Sequence, residues 1–428
     1  MTAQIKAGAP DRKTPGILSG AFIERLLDTV ESQGGAGIIQ AFSNIKQRRD
    51  RYLREEWMEP GRENGDTYFR EIDFEHLLTV IHRHYHEHPS AAVSVYLEIV
   101  QVCLEFGELQ KAQDLLKFIE KRVGLDQTDQ RIAFLMMKGK WGLYTHRSEI
   151  AQACYEEALQ HCTVAGNSRG QIKALNNLGI LSFKLWKTDQ GYEYFLRARE
   201  QIGKASEPID RQTEVYVHMN LGILKGMQGD FQQACESFTS LEDAYPDLTG
   251  LPLVKLRYNK GTALKDAGEL EDAAEVLTDV ITRAEALPAY HTFGEAQVAF
   301  ADVCVQTGEL DRGKNALSEA FKVFAKIHDR PGLAESYRVL GLYHQIQAYD
   351  DLAEEQFHIS RKIATEYYNL LTLTETSHAM SRLMAKRGDH DRQRQYLQES
   401  LEYAEEMQAI RRQERLQVEL DALEVRWQ

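Results

Sequence analysis

Apolar residues return along most of this chain at the three- and four-residue spacing that gives a helix one buried face, with polar residues between them. Only nine prolines interrupt the 428 residues, and long stretches carry none, so many uninterrupted helices have room to form. Superimposed on this periodicity is a frame in which a small residue is followed at fixed offsets by Gly, Ala and an aromatic or Leu. The clearest copy is Gly222, Gly229, Ala234, Phe238, Pro246. The frame returns at Gly179 with Phe195 and Ala198, at Gly261 with Gly268, Ala273 and Leu277, and at Gly341 with Ala353 and Phe357. Weaker copies start at Val100, Gly139, Ala301 and Ser381. Successive anchors are separated by 39 to 43 residues, a regularity that predicts stacked copies of one supersecondary unit.

In physical terms each unit is a helix, a turn around a Gly such as Gly229-Asp230 or Gly268-Glu269, and a second helix. Small residues at Gly222 and Ala234 let the two backbones approach, and Phe238 is expected to fill the wedge toward the next unit. No unit buries its apolar face alone, so neighbours must stack. On these residues the chain resembles the tetratricopeptide repeat family over about residues 90–408. A period near 40, against the usual period of about 34, resembles the longer-unit subset that includes kinesin light chains and the bacterial peptide-pheromone receptors of the Rap and PlcR type. The resemblance implies an all-α, right-handed α-solenoid of about eight such hairpins over residues 89–408.

Outside the repeats, residues 1–18 read as a flexible tail, because Gly, Pro and polar residues dominate. Residues 19–88 read as an amino-terminal helical subdomain: two helices split at Gly34-Gly35, a breaker loop Glu59-Pro60-Gly61-Arg62-Glu63-Asn64-Gly65, and a third helix near 69–87 ending at Pro89. Residues 409–428 place Ile410, Leu416, Leu420, Leu423 and Trp427 on one helical stripe. That stripe predicts a capping helix over the last repeat, with a homodimer seam as the alternative reading.

The first helix of each unit lines a concave groove in tetratricopeptide arrays, so equivalent positions form ladders. Two residues before the anchor stand Asn177, Asn220 and Asn259; the equivalent residues elsewhere are Glu98, Met137, Ala299, Val339 and Ala379. Asn is a mediocre helix former, whereas its carboxamide can both donate to and accept from a peptide backbone. The resemblance implies that use for these three residues; the competing reading is an Asn bonded to the adjoining repeat. Helical spacing adds Lys173, Asn176 and Lys184, then Tyr216, then Lys255, Tyr258 and Lys265, giving a basic and aromatic middle. Six residues before later anchors stand Glu295, Glu335 and Glu375, with Arg338, His378 and Arg382 on the same faces. A bipolar groove follows, suited to a ligand with an acidic group near Lys173 and Lys255 and a basic one near Glu295 or Glu335. The alternative is that these charges pair within their helices, as Glu335 and Arg338 can.

Charge and candidate chemistry narrow the classes. Lys and Arg total 51 against 65 Asp and Glu, a net charge of −14, which disfavours nucleic acid and anionic membranes as partners. The basic run Lys46, Arg48, Arg49, Arg51, Arg54 is interrupted by Asp50, Glu55 and Glu56. No apolar run approaches the ~18 residues of a membrane span, and the first residues lack the apolar stretch of a secretory signal, so a cytoplasmic protein is expected. Cys103, Cys154, Cys162, Cys235 and Cys304 form no CxxC pair and read as reduced, half-buried thiols. His82, His84, His86 and His88 converge in pairs at most, short of the roughly four ligands of a closed zinc site, so neither metal nor cofactor is expected. No P-loop, GxSxG elbow, dinucleotide fingerprint or Cys/His nucleophile signature occurs, and no catalytic residue is assigned. The expectation is a binding protein rather than an enzyme: an intracellular receptor or scaffold that takes an extended peptide or protein tail in its groove and a second protein at its amino-terminal helices. The resemblance supplies one alternative, a Rap-type response-regulator phosphatase under peptide control, in which Gln33, Gln40 or Gln47 would act; no motif selects among them.

Overall fold

The computed structural model describes residues 17–19, 68–70, 78–79, 81–83, 92–105, 108–123, 125, 127–205, 208–287, 289–327 and 329–425. They fall into two compact units, Met1–His161 and Cys162–Gln428. Helices follow one another in hairpins: α1 (Val93–Glu105) with α2 (Leu109–Phe118, continued by a π-turn over Ile119–Val123), α3 (Thr128–Tyr144) with α4 (Ser148–Val164), α5 (Ser168–Lys184) with α6 (Thr188–Lys204), and α7 (Arg211–Met227) with α8 (Phe231–Ala244). Four more pairs are α9 (Gly250–Ala267) with α10 (Leu270–Glu285), α11 (Tyr290–Thr307) with α12 (Leu310–Lys326), α13 (Arg330–Ile346) with α14 (Asp350–Glu366), and α15 (Leu370–Arg387) with α16 (His390–Glu406). A single helix, α17 (Ile410–Val425), follows. The fold is an α-solenoid of helical hairpins, and each of the eight sequence anchors lies in the first helix of one hairpin.

Two short strands stand apart from this pattern. β1 (Ile17–Ser19) pairs antiparallel with β2 (Tyr68–Arg70), Leu18 opposite Phe69. The helix expected near 69–87 therefore does not begin there; residues 78–79 and 81–83 are helical. Short apolar, β-branched and aromatic runs fit a strand as well as a helix, and a pairing partner about fifty residues away decides between them. Most of residues 1–88, including the basic run, Gln33, Gln40, Gln47 and His84 to His88, lie outside the described residues.

The repeat signature has a direct steric basis. A Cβ on Gly222 would stand 2.7 Å from the Phe238 ring of its own hairpin, and Gly139, Gly179 and Gly341 sit equally tightly under Tyr155, Phe195 and Phe357. Phe238 thus closes its own hairpin as well as joining the core shared with Leu256 and Leu264 of the next. The ring needs the space that a side chain at the anchor would occupy.

Seven residues beyond the anchor the chain turns in the left-handed region. Gly229, Gly268, Gly308 and Gly388 take φ of 73 to 90°, but His146, Trp186 and Ala348 adopt the same turn at φ 55 to 61°. Side chains of Asn167, Asp210, Asp230, Asp329, Asn369 and Asp389 accept hydrogen bonds from the first free N–H groups of their helices.

The first unit packs Tyr96, Ile99, Val100, Phe134, Leu135 and Trp141 into one core. In the second unit α5, α7, α9, α11, α13 and α15 form an inner layer in which consecutive first helices touch, each backed by its hairpin partner. Leu416 and Leu420 of α17 close the last exposed face against Leu397, Leu401 and Ala404 of α16. All five cysteines are free and fully buried rather than half-buried, and burial pushes the thiols of Cys235 and Cys304 up to about 11.

Candidate ligand groove on the inner helices

The inner helices of the second unit carry the residues singled out from the sequence. Asn220 donates through Nδ2 to Oδ1 of Asn176 on the preceding inner helix, at 2.8 Å. This leaves the Asn220 carboxamide oxygen and the Asn176 amide hydrogens without a further partner among the described residues. Asn259 turns its amide onto its own helix, donating to the Lys255 carbonyl oxygen at 2.8 Å. Asn177 is half-buried and also has a partner within the protein. The three asparagines are therefore not equivalent: one reaches the adjoining repeat, as the local-bonding reading expected, and one is spent on its own backbone.

Around them stand cations and aromatic rings. Lys173 is half exposed, its Nζ 3.6 Å from Asp210, the residue capping α7. Lys255 places its ammonium 5.6 Å from the centre of the Tyr216 ring, a cation–π distance. Tyr258 is half-buried, and burial raises its phenol well above the ordinary value. Lys184 is solvent-accessible, yet its reduced hydration on the concave face lowers its ammonium pKa, against the opposing pull of Glu295 and Asp329.

The remaining charges are largely consumed by one another. Asp302, one residue past an anchor and fully buried, receives Lys265 at 3.2 Å and Arg338 at 2.8 Å. Burial alone would raise its carboxyl; Lys265 and Arg338 overcome that and hold it well below the usual range. Arg338 is itself buried and binds Glu335 at 2.6 Å, and Thr372 donates to the other oxygen of that carboxylate. Glu375 is paired with Arg412 of α17. Burial opposes its ionisation, but Arg412 and Arg338 bring its carboxyl down to about 2. His378 meets Glu419 at 2.8 Å. Lys265, Glu335, Arg338 and Glu375, expected to face a ligand, are thus taken up in ion pairs: Glu375 holds Arg412 of α17, and Lys265, Asp302, Arg338 and Glu335 form one ion chain across α9, α11 and α13. Glu335 and Arg338 pair within α13, as the within-helix alternative had it, whereas the bridges from Lys265 and Arg338 to Asp302 and from Arg412 to Glu375 cross between helices at separations of 36 or 37 residues.

What remains free of this chain is a smaller acidic cluster. His291 lies 2.7 Å from Asp329 and 3.4 Å from Glu295. Glu295 chiefly, with help from Asp329 and against reduced hydration, raises the imidazole to about 9. Arg382 stays exposed. Asp302, Arg412, His291 and Asp329 were not singled out from the sequence. Asp302 alone carried a signal, an acid inside the apolar run Val298 to Val305; the others are placed by packing between distant repeats.

No protein-family model matches this chain, and neither does any curated protein. Solved structures do match in fold. A Rap protein complexed with Competence and Sporulation Factor superposes with a TM-score of 0.52 at 14% identity, covering 79% of this chain and 98% of its own. The Rap conjugation gene regulator of the plasmid pLS20, in complex with a peptide, gives 0.54 at 15%, covering 91% and 96%. The apo form of the quorum sensor NprR from B. thuringiensis gives 0.54 at 12%, covering 78% and 94%. The chain shares with these proteins the α-solenoid of helical hairpins.

Proposed function

We propose that this chain is a cytoplasmic regulatory receptor or scaffold that binds an extended peptide along its inner helices and a second protein through residues 19–88. The observation that carries the reading is the Asn176–Asn220 pair. It presents an uncommitted amide donor on α5 beside an uncommitted carbonyl acceptor on α7, the complement of one peptide unit's C=O and N–H. Lys173, Lys184 and Lys255 supply positive charge for an acidic side chain or C-terminal carboxylate, and Glu295 with Asp329 supply the opposite sign. Two of the proteins sharing the fold are themselves complexed with Competence and Sporulation Factor and with a peptide, which supports a peptide for this groove. The phosphatase alternative rests on Gln33, Gln40 and Gln47, outside the described residues, and no observation favours it.

The test is selection of a binder from a pool of randomised synthetic heptapeptides, followed by fluorescence anisotropy with the selected peptide. Changing Asn176 and Asn220 together to Ala should weaken binding about tenfold or more, at about 1 kcal/mol for each lost hydrogen bond. Asn259→Ala alone should cost less, because its amide is already bound to Lys255. Unchanged affinity in the double variant, or a pool that yields no binder, would remove the reading.

A further inference from the structure

In an open solenoid each repeat touches only its neighbours. The second unit departs from that rule along one seam. Trp186, in the turn between α5 and α6, packs against the cluster of Ala334, Ile363, Leu370, Leu373 and Met407 and donates its indole N–H to the Tyr368 carbonyl at 3.1 Å. Thr188, 3% exposed, donates to the Met407 carbonyl at 3.1 Å. One repeat further, the Arg411 amide donates to the Gln228 carbonyl at 3.2 Å, and Arg411 pairs with Asp230. Arg412 lies 5.3 Å from the Phe231 ring. These partners are some 180 to 220 residues apart in the chain and join the turns of α5–α6 and α7–α8 to the far end of the solenoid.

The glycine turns isolate the effect. Gly229 and Gly268 occupy equivalent turns with nearly the same φ, 90° and 88°. A Cβ on Gly268 would meet open space, whereas one on Gly229 would stand 2.9 Å from the Arg411 Cβ.

We propose that this seam closes the concave face of the second unit into a passage, so that its ligand is a short linear chain with a free end and not an internal loop of a folded protein. The proposal rests on the peptide-binding reading for what enters. Its test uses no peptide ligand, so the two can fail separately: if the seam is absent the groove is merely open.

The experiment places a reporter thiol at Thr262→Cys on α9, the five native cysteines being buried. Three maleimides are compared: N-ethylmaleimide, maleimide at the end of an unstructured heptapeptide, and maleimide held by a short tether on a small folded carrier protein. In the parent the first two should react freely and the carrier slowly. Gly229→Asn, tolerated at positive φ but bringing the clashing Cβ, should speed the carrier about tenfold, equivalent to about 1.4 kcal/mol in the opening equilibrium. Gly268→Asn should leave the rate unchanged. Trp186→Phe, which keeps the ring but removes the N–H donated to Tyr368, should shift the carrier rate in the direction of Gly229→Asn and secures the result if that variant folds poorly. Equal carrier rates in parent, Gly229→Asn and Trp186→Phe, or an equal rise in Gly268→Asn, would overturn the proposal.

Discussion

Replacing Arg338 by Met tests whether the inner ion chain holds the repeats together. The substitution roughly preserves volume but removes the guanidinium that bridges Asp302 on α11 and Glu335 on α13, at 2.8 and 2.6 Å. Asp302 is left fully buried with Lys265 at 3.2 Å and Gln306 at 3.0 Å. Removing one partner of a buried ion pair costs about 3–5 kcal/mol; the retained Lys265 places this variant near the lower end, about 3 kcal/mol. Asp302→Leu should be milder, because Arg338 keeps Glu335 and Lys265 keeps Asp266 at 3.1 Å. The double variant should then be more stable than the sum of the two losses by about 2 kcal/mol, since no fully buried carboxylate is left at position 302 without Arg338, and Lys265 keeps Asp266. Urea denaturation at constant m measures the energies. Because repeat arrays unfold in segments, hydrogen exchange of α11 and α13 locates them. A loss below about 1 kcal/mol for Arg338→Met, or single losses that simply add in the double variant, would refute the reasoning.

Acid should undock α17. The Glu375 carboxyl, about 2 in the folded chain against an ordinary 4.5, is depressed on folding. Its contribution, on the order of 3 kcal/mol, is therefore fully present above the ordinary value and lost as pH falls toward 2. Arg412→Ala should remove most of that pH dependence, and an unaltered acid-denaturation midpoint would contradict the assignment. At the repeat signature, Gly222→Ala places a methyl against Phe238 and should cost about 1–3 kcal/mol; adding Phe238→Leu should recover part of it, and calorimetry that finds the double variant worse than Gly222→Ala alone would show that the ring is not what excludes the methyl.

How much of this was legible beforehand follows from where each interaction is encoded. The hairpins were readable because their defining contact is local: an anchor and the ring over it, as in Gly222 and Phe238, lie on adjoining helices of one unit and recur at one offset. The turn glycine is not what marks a copy. His146, Trp186 and Ala348 hold the left-handed turn that Gly229, Gly268, Gly308 and Gly388 hold elsewhere, so the backbone keeps its path where the motif loses its glycine, and the copies at Val100, Ala301 and Ser381 are weaker because their anchors are not glycine. The groove was legible only as a set of faces. The sequence placed Asn220, Lys265, Glu335 and Glu375 on the inner helices, but which of them faces solvent depends on charges one repeat away, a spacing that helix periodicity does not register.

What the sequence determined by itself is the repeating unit, because a helical hairpin is specified by contacts within about forty residues. Tertiary structure alone decided that Asp302 sits beneath Lys265 and Arg338, that Arg412 belongs to Glu375, and that Trp186 meets Tyr368. Each repeat adds a small rotation to the last, and only the accumulated rotation brings residues some two hundred positions apart within hydrogen-bonding distance.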